Sequence, residues 1–430
     1  MLTVALALWL AASYGATSDS TSASDLNSTP TSPSAPPSGP TSPSPPTPSH
    51  TTPTSPTPPP PVTPTVPPPA PPVRREPVLQ WTAIPLVTYG SDIGVQVGAA
   101  AYLYQLDRQG QRGNWGALGF AWSTHGPRGL EMKGELLRLW HTSLRTLLQA
   151  KVWIDPEAPY WGEGAALGGI PVPPGSGNPP EPFRWRSSGP WLSLILRGDL
   201  LGPLGWWARY RFTDVSVQDP GAALRAASPP GHDGGPSSLA HIGLVYDVRD
   251  RPSSPRRGIL ADASLFASPP FSALAVEQLA GLDVGVRAYL PLWRDALLAV
   301  RGLYDLKLGD VPFFERSQYE GLTYGEGLGG NGTIRGLARD RLSGEEKILV
   351  SAEIRAWLFG TGWFGRRQEW GLSSGGDVGR ARDRGYVPVL GAGGFGGVRL
   401  LLDEAVVIRF EVGFAGQGAL AYYLAFDEAF

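Results

Sequence analysis

The 430-residue chain predicts an all-β protein: a transmembrane antiparallel β-barrel of about 16 strands, preceded by a disordered segment rich in Pro, Ser and Thr. Three observations carry this prediction. Strand-like runs follow one another at short spacing from residue 76 onward, broken by Gly, Pro, Asp and Ser. The clearest runs alternate apolar with charged residues. The last run alternates too, and ends on an aromatic residue, Phe430.

Composition agrees. The chain has 56 Gly, 15 Trp, 14 Tyr and 14 Phe, which suits tight turns, bulges and interfacial girdles. With no Cys there is no disulfide framework, no thiolate nucleophile and no lipidated cysteine. A formal charge of -2 gives no electrostatic basis for a nucleic-acid partner. After the N-terminus no apolar run is long enough for a spanning helix, so any membrane crossing is made by strands.

Residues 1–16, MLTVALALWLAASYGA, read as a signal peptide, with an apolar stretch from Val4 to Ala12 and small residues to Ala16. Residues 17–75 are dominated by Ser, Thr, Pro and Ala. They carry too little apolar surface to offset ordering entropy, and their prolines hold them extended as a disordered tether. In polyproline II form, at about 3.1 Å per residue, such a tether reaches on the order of 100 Å. Residues 76–430 form the barrel. Candidate strands begin near Thr82, Ile93, Asn114, Gly129, Thr142, Trp191, Leu204 and Leu239 in the first half. In the second half they begin near Ile259, Leu279, Asp295, Lys347, Glu369, Val387, Ala405 and Gly418.

Alternation is clearest in three runs. Ile348, Val350, Ala352, Ile354, Ala356 and Leu358 oppose Ser351, Glu353 and Arg355. Val406, Ile408, Phe410, Val412 and Phe414 oppose Arg409 and Glu411. Ile242, Leu244, Tyr246 and Val248 oppose Asp247 and Arg249. A soluble sandwich also alternates, but a barrel sends the charged set into a polar lumen and the apolar set to lipid, and it leaves no open edge.

Four stretches say more than alternation does. Residues 246–258, YDVRDRPSSPRRG, form a charged, proline-punctuated turn closing on glycine, with Asp247, Arg249, Asp250, Pro255, Arg257 and Gly258 as its signature. The C-terminal run GALAYYLAFDEAF places Tyr422, Leu424, Phe426 and Phe430 on one face, with Glu428 the dissenter. A long connection, about residues 307–346, contains GGNGTIRGLARD. The tail from Val389 to Val412 couples the glycine-rich VLGAGGFGGVRLLL, through a turn at Asp403-Glu404, to VVIRFEVGF.

In this order and spacing, these stretches resemble the bacterial surface-antigen barrels, the BamA/TamA-type family of the bacterial outer membrane. The resemblance covers residues 82–430, its specific motifs lying in the second half. It implies that the C-terminal run is the signal presented to the assembly machinery, and that the long loop folds into the lumen with Arg335-Gly336 at its tip. Leu337 stands where the family usually has an aromatic residue. A guanidinium in a narrow lumen needs a carboxylate partner. Glu353, inward on the next strand within SAEIR, is the candidate. Family barrels add an inward aspartate on the thirteenth strand. Ser374 falls at that alignment position, so either this second carboxylate is lost or Asp377 replaces it.

Family members that insert or export proteins carry POTRA domains that receive substrates. Residues 17–75 have no apolar periodicity for such a module, so the expectation is a barrel without POTRA domains. Motifs for catalysis carry nothing here. Gly371-Leu372-Ser373-Ser374-Gly375 lacks the strand–turn–helix context of a nucleophile elbow. The G-x-G-x-x-G matches at Gly325 and Gly391 open no helix. The five histidines show no ligand spacing; His141 and His241 are expected in the lumen or at the interface. The chain is therefore expected not to be an enzyme and to need no cofactor or metal. The resemblance implies a role in outer-membrane protein assembly or translocation, with membrane lipid, unfolded outer-membrane proteins and periplasmic proteins as partners. A passive pore or structural barrel is the alternative.

Overall fold

The computed structural model describes residues 78–430 apart from short stretches at 107–111, 138–141, 164–178, 252–253, 270–277, 323–326, 364–365, 403–405, 417–419 and 427–429. The expected signal peptide, the tether, His141, Glu428 and the turn at Asp403-Glu404 lie outside the described residues. Sixteen antiparallel strands close into one barrel, each beside its sequence neighbours and the first beside the last. The first eight are β1 (Val78–Gly90), β2 (Gly94–Leu106), β3 (Arg112–Ser123), β4 (Arg128–Leu137), β5 (Arg145–Pro159), β6 (Arg184–Leu201), β7 (Leu204–Gln218) and β8 (Gly234–Asp247). The rest are β9 (Gly258–Ala267), β10 (Leu279–Trp293), β11 (Ala296–Gly309), β12 (Glu346–Trp363), β13 (Arg366–Arg382), β14 (Val389–Leu402), β15 (Val406–Ala415) and β16 (Leu420–Ala425).

Each predicted run corresponds to one strand. The largest offset is at β6, expected from Trp191 but starting at Arg184. Gly189-Pro190 reads as a break. In the fold, β5 still pairs with both residues, and β7 skips them with a gap in its ladder between Ser188 and Trp191. The Thr213 hydroxyl donates to the Pro190 carbonyl across that gap at 3.1 Å.

Facing follows the alternation. On β12, Ser351, Glu353 and Arg355 are buried inward while Val350, Ile354 and Leu358 are exposed outward. On β15, Arg409 and Glu411 are buried against exposed Phe410 and Phe414. An apolar outer surface around a polar interior suits lipid, where neighbouring strands satisfy each other's backbone groups. Exposed aromatics mark the two rims: Trp81, Tyr246, Trp293 and Phe359 at one end, Tyr89, Trp122, Phe414 and Tyr422 at the other.

Connection length distinguishes the ends. At one end the chain turns within residues 202–203, 248–257 and 294–295. At the other it makes the long excursions 160–183, 219–233, which contains α1 (Ala222–Ala227), and 310–345, which contains the single turn α2 (Phe313–Arg316). Bacterial barrels place short turns inward and long loops outward. The 310–345 excursion folds back into the barrel, burying Leu328, Ile334, Arg335 and Leu342.

A charge placed on the lipid face should be costly at mid-height. Ile354→Arg is expected to destabilise the barrel by about 2–4 kcal/mol, read by denaturant unfolding in lipid vesicles. Comparable stability of variant and parent would mean that this face does not meet hydrocarbon.

Candidate functional site

Two features combine chemistry with position: the loop inside the lumen and the seam between the first and last strands. The tip of the β11–β12 loop lies against β12–β15. Arg335 is fully buried, and its Nε and Nη2 donate to Asp377 Oδ2 and Oδ1 at 3.0 and 3.1 Å. Its backbone N–H also donates to Asp377 Oδ2, at 3.2 Å. Glu353 Oε2 stands 3.4 Å and Glu411 Oε2 3.5 Å from Nη1. The ring of Phe395 lies under the guanidinium. Burial alone would favour loss of the proton. The carboxylates of Asp377, Glu411 and Glu353 outweigh it and hold the Arg335 pKa above its ordinary value.

The expected pair with Glu353 is present, at 3.4 Å, but Asp377 makes the shorter bonds. Glu353 is already held by Arg355 Nε at 3.0 Å and Arg399 Nη1 at 2.9 Å, so it reaches Arg335 only at the edge. The forked, two-bond geometry that fits a guanidinium is made by Asp377. Between the alternatives of a lost or a replaced second carboxylate, Asp377 occupies the position. Ser374 instead donates to the Phe395 carbonyl within the sheet.

The glycine-rich strands explain how the tip comes so close. Gly336 has φ +99°, and a Cβ there would overlap the backbone of Phe414. A Cβ on Gly393 would overlap the Arg335 carbonyl, and one on Gly413 would strike the backbone of Arg335 and Gly336. These glycines form a groove in the wall that receives the loop backbone. The Gly336 N–H donates to the Tyr423 hydroxyl on β16 at 3.2 Å, tying the tip to the last strand. Leu337 does not stack; it packs with Leu328, Ile334 and Leu342 on the β12–β13 wall.

A second anchor of opposite sign was not foreseen. Glu320 in the loop accepts from Arg209 Nη2 at 3.1 Å and faces Arg211 Nη2 at 3.1 Å, and Glu315 accepts from Arg211 at 2.7 Å. Lys307 Nζ donates to the Glu315 carbonyl, and Lys347 Nζ to the Arg316 carbonyl, both at 2.8 Å. His241 lies buried beside Arg209, between Trp207 and Phe266. The signal was present in WWARYRF. Two arginines at alternate positions share one strand face, and that face cannot meet lipid.

The signature turn between β8 and β9 caps itself. Arg249 donates to both Asp247 carboxylate oxygens, at 2.9 and 2.8 Å. Asp250 Oδ1 accepts the backbone N–H groups of Arg256 and Arg257, at 2.9 and 3.2 Å. Pro255 lies in this turn. Gly258, at φ +110°, opens β9 where a Cβ would meet the Val248 carbonyl.

The C-terminal run departs from its expected single face. Tyr422 is exposed and Leu424 and Phe426 are half-buried. Phe430 is buried in the lumen with Tyr289, Leu297 and Ala299. β16 ends at Ala425 and the chain bends at Phe426, so strand parity no longer governs the facing of Phe430. The Phe430 ring lies under Arg301 and Arg355, at 4.6 and 5.3 Å, and its carbonyl accepts from Arg355 Nη2 at 2.9 Å.

The seam is sparse. β1 pairs with β2 along all 13 of its residues, from Val78 to Gly90. With β16 the ladder among the described residues holds only Tyr89↔Leu424 and Gly90↔Tyr423. Ser91 adds its N–H to the Tyr422 carbonyl at 3.1 Å, and its hydroxyl accepts from the Tyr422 N–H at 2.9 Å. All of these bonds lie at the long-loop end.

Arg335→Ala and Asp377→Ala should each cost about 3–5 kcal/mol of barrel stability, because each leaves a buried partner unpaired. Their double variant should cost less than the sum. Glu353→Ala should couple more weakly to Arg335 than Asp377→Ala does. Chemical unfolding in vesicles checks this; additive effects would place Arg335 in solvent.

No family model matches the chain, and no curated protein matches it. Solved structures do. The structure of BamA from Haemophilus ducreyi lacking POTRA domains 1-3 aligns with TM-score 0.53 at 12% identity, over 82% of this chain and 70% of that one. CdiB from Escherichia coli aligns with TM-score 0.53 at 12% identity, over 80% of this chain and 62% of that one. A sixteen-strand closed barrel with a loop returning into its lumen is thus the architecture of this protein, and its fold is that of the BamA-type outer-membrane barrels.

Proposed function

We propose that this protein works in the bacterial outer membrane in the assembly or translocation of other proteins, and that it acts through the β1–β16 seam. The observation that carries this reading is the two-residue ladder of that seam beside the 13-residue ladder on the other side of β1. The unpaired length of β1 presents backbone N–H and C=O groups that an incoming strand can complete by β-augmentation. Breaking two ladder pairs costs far less than opening any other strand pair in the sheet, so the barrel opens here first.

The lumen supports the same reading against a passive pore. Two ionic anchors of opposite sign hold the loop inside, where it narrows the route for solutes. Residues 17–75 contain no apolar periodicity that would let them receive a substrate themselves, and partner proteins would supply that step.

The absence of cysteine makes the seam easy to lock. In the double variant Tyr89→Cys/Leu424→Cys, oxidation should join β1 to β16, since directly paired residues lie within reach of a disulfide. In proteoliposomes, the protein should speed the folding of a denatured outer-membrane barrel. Oxidation should abolish that effect and reductant restore it. Unchanged acceleration by the locked barrel would remove the seam from the mechanism.

Planar-bilayer recording addresses the plug. The intact protein should pass only small, intermittent currents, and Arg335→Ala combined with Glu320→Ala should raise them. Large steady currents from the intact protein would favour the passive channel.

A further inference from the structure

Beneath the inserted loop lies a row of carboxylates that the loop anchors leave out of balance. Asp283 on β10 stands directly opposite Asp305 on β11 and Ser264 on β9, and all three are buried on the lumen side. Asp262 shares that inward face of β9 two residues before Ser264. The loop backbone passes over this row at Gly321. A Cβ built there would lie 2.3 Å from Asp283 Oδ1 and 3.1 Å from Asp262 Oδ2, so both carboxylates crowd one point of the chain. Glu320, the preceding loop residue, brings a further carboxylate to face Asp283.

The neighbouring cations are already engaged. Arg209 and Arg211 hold Glu320, and Arg211 also holds Glu315. Lys347 Nζ stands 2.7 Å and Lys307 Nζ 3.3 Å from one oxygen of Asp305, Oδ1. Asp262 Oδ2 accepts the Leu322 N–H at 3.2 Å, and Arg287 of β10 faces Asp262. Asp283 receives none of these contacts. It is 2% exposed and forms no ion pair among the described residues, and its Oδ2 has no hydrogen-bond partner there. Asp305, Asp262 and Glu320 all oppose a negative charge at this position, and only the more distant Lys307 favours one.

A buried carboxylate without a counter-ion is strongly unfavourable, and two directly opposed carboxylates do not both stay ionised. One proton removes both difficulties. Asp305 keeps its lysines on Oδ1, while its Oδ2, like that of Asp283, is buried without a partner. The opposed pair therefore has an acceptor that lacks a donor, which a protonated Asp283 carboxyl supplies. The Ser264 and Tyr319 hydroxyls beside the pair are buried and likewise unpartnered among the described residues, so neither serves as that donor.

We propose that Asp283 holds a proton while the loop is inserted, shared with Asp305 across the β10–β11 ladder, and that losing it to solvent loosens the loop at Glu320–Leu322. The plug then carries its own proton sensor, and the sensor does not depend on the seam. With the loop withdrawn, water reaches the row and Asp283 becomes an ordinary carboxylic acid, ionised above about pH 4. The inserted state thus binds one proton more than the withdrawn state. Insertion is strongest in acid and weakens as pH rises, by about tenfold per pH unit, until the inserted state has lost the proton too. Other titrating groups surround the row. His241, beside Arg209 and Glu320, takes up charge only toward acid, and Lys307 and Lys347 give theirs up only toward alkali. Their effects persist when residue 283 is made neutral, which separates them from that of Asp283.

The test is planar-bilayer recording of the full chain between about pH 5 and 9. The fraction of time spent in the open, plug-released state should rise with pH in the parent, by up to about tenfold per unit. Asp283→Asn, which copies the neutral acid, should stay plugged across the range and abolish that slope. Infrared spectra of the parent in lipid should show a protonated-carboxyl band at neutral pH that the Asn variant lacks. Asp283→Ser provides the same comparison if Asp283→Asn does not fold. The proposal is overturned if openings of the parent do not change with pH, or if the slope survives in the neutral variants. It also fails if the infrared band is missing from the parent or retained in the variant. Failure of both neutral variants to fold with the loop inserted would overturn it as well, since a neutral side chain can replace a carboxyl that keeps its proton.

Discussion

The Arg335–Asp377 fork is the contact on which the rest of the interior depends. A guanidinium withdrawn from water in a narrow barrel is unfavourable unless its hydrogen bonds are met by matched, fixed carboxylate oxygens. Asp377 provides two such bonds through the side chain and a third through the backbone of the tip. Glu353 and Glu411 then distribute the remaining negative charge among Arg355, Arg399 and Arg409. The result is a network crossing β12 to β15, in which the loop supplies one charge and the wall supplies its complement. At the other side of the lumen the polarity reverses: the loop gives Glu315 and Glu320, and the wall gives Arg209 and Arg211. With both anchors in place the loop is tied to opposite walls, and neither alone determines where it sits.

Close approach is the second condition, and glycine meets it. Gly393 and Gly413 leave the inner wall without side chains where the backbone of Arg335 and Gly336 passes. An alanine at either place would push the tip away by about the width of a methyl group. The fork to Asp377 would then lengthen beyond hydrogen-bonding distance. Glycine abundance in this chain therefore has two roles: turns, as at Gly258, and a groove for the plug.

The seam and the plug are physically connected. Tyr423, on the short last strand, accepts the N–H of Gly336 at the loop tip. Phe430, past the end of that strand, is held under Arg301 and Arg355, and Arg355 in turn holds Glu353 of the tip network. Phe430 thus sits among the lumen's charges.

The strand number, strand order and facing of the barrel were legible in the sequence, because a lipid-exposed strand must keep a strict two-residue alternation and a closed barrel of neighbours leaves no other topology to choose. The β8–β9 turn was legible for a related reason: its bonds join residues a few positions apart, so Asp247, Asp250 and Gly258 declare it locally. Arg335 as the loop tip could be placed through its resemblance to a known motif. Its carboxylates, Glu353 and Asp377, could be named as well, but not which of them makes the fork. Glu353 and Asp377 share inward parity, and only the stagger of β12 against β13, which sets Ser351 opposite Asp377, decides which carboxylate meets the guanidinium squarely. The Glu320–Arg209 anchor spans more than a hundred residues, and no local pattern encodes the fold of a loop across a lumen. The inward turn of Phe430 and the shortness of the seam were likewise decided by tertiary structure. Alternation describes a residue only while it remains in a strand, and the last strand stops before the chain does.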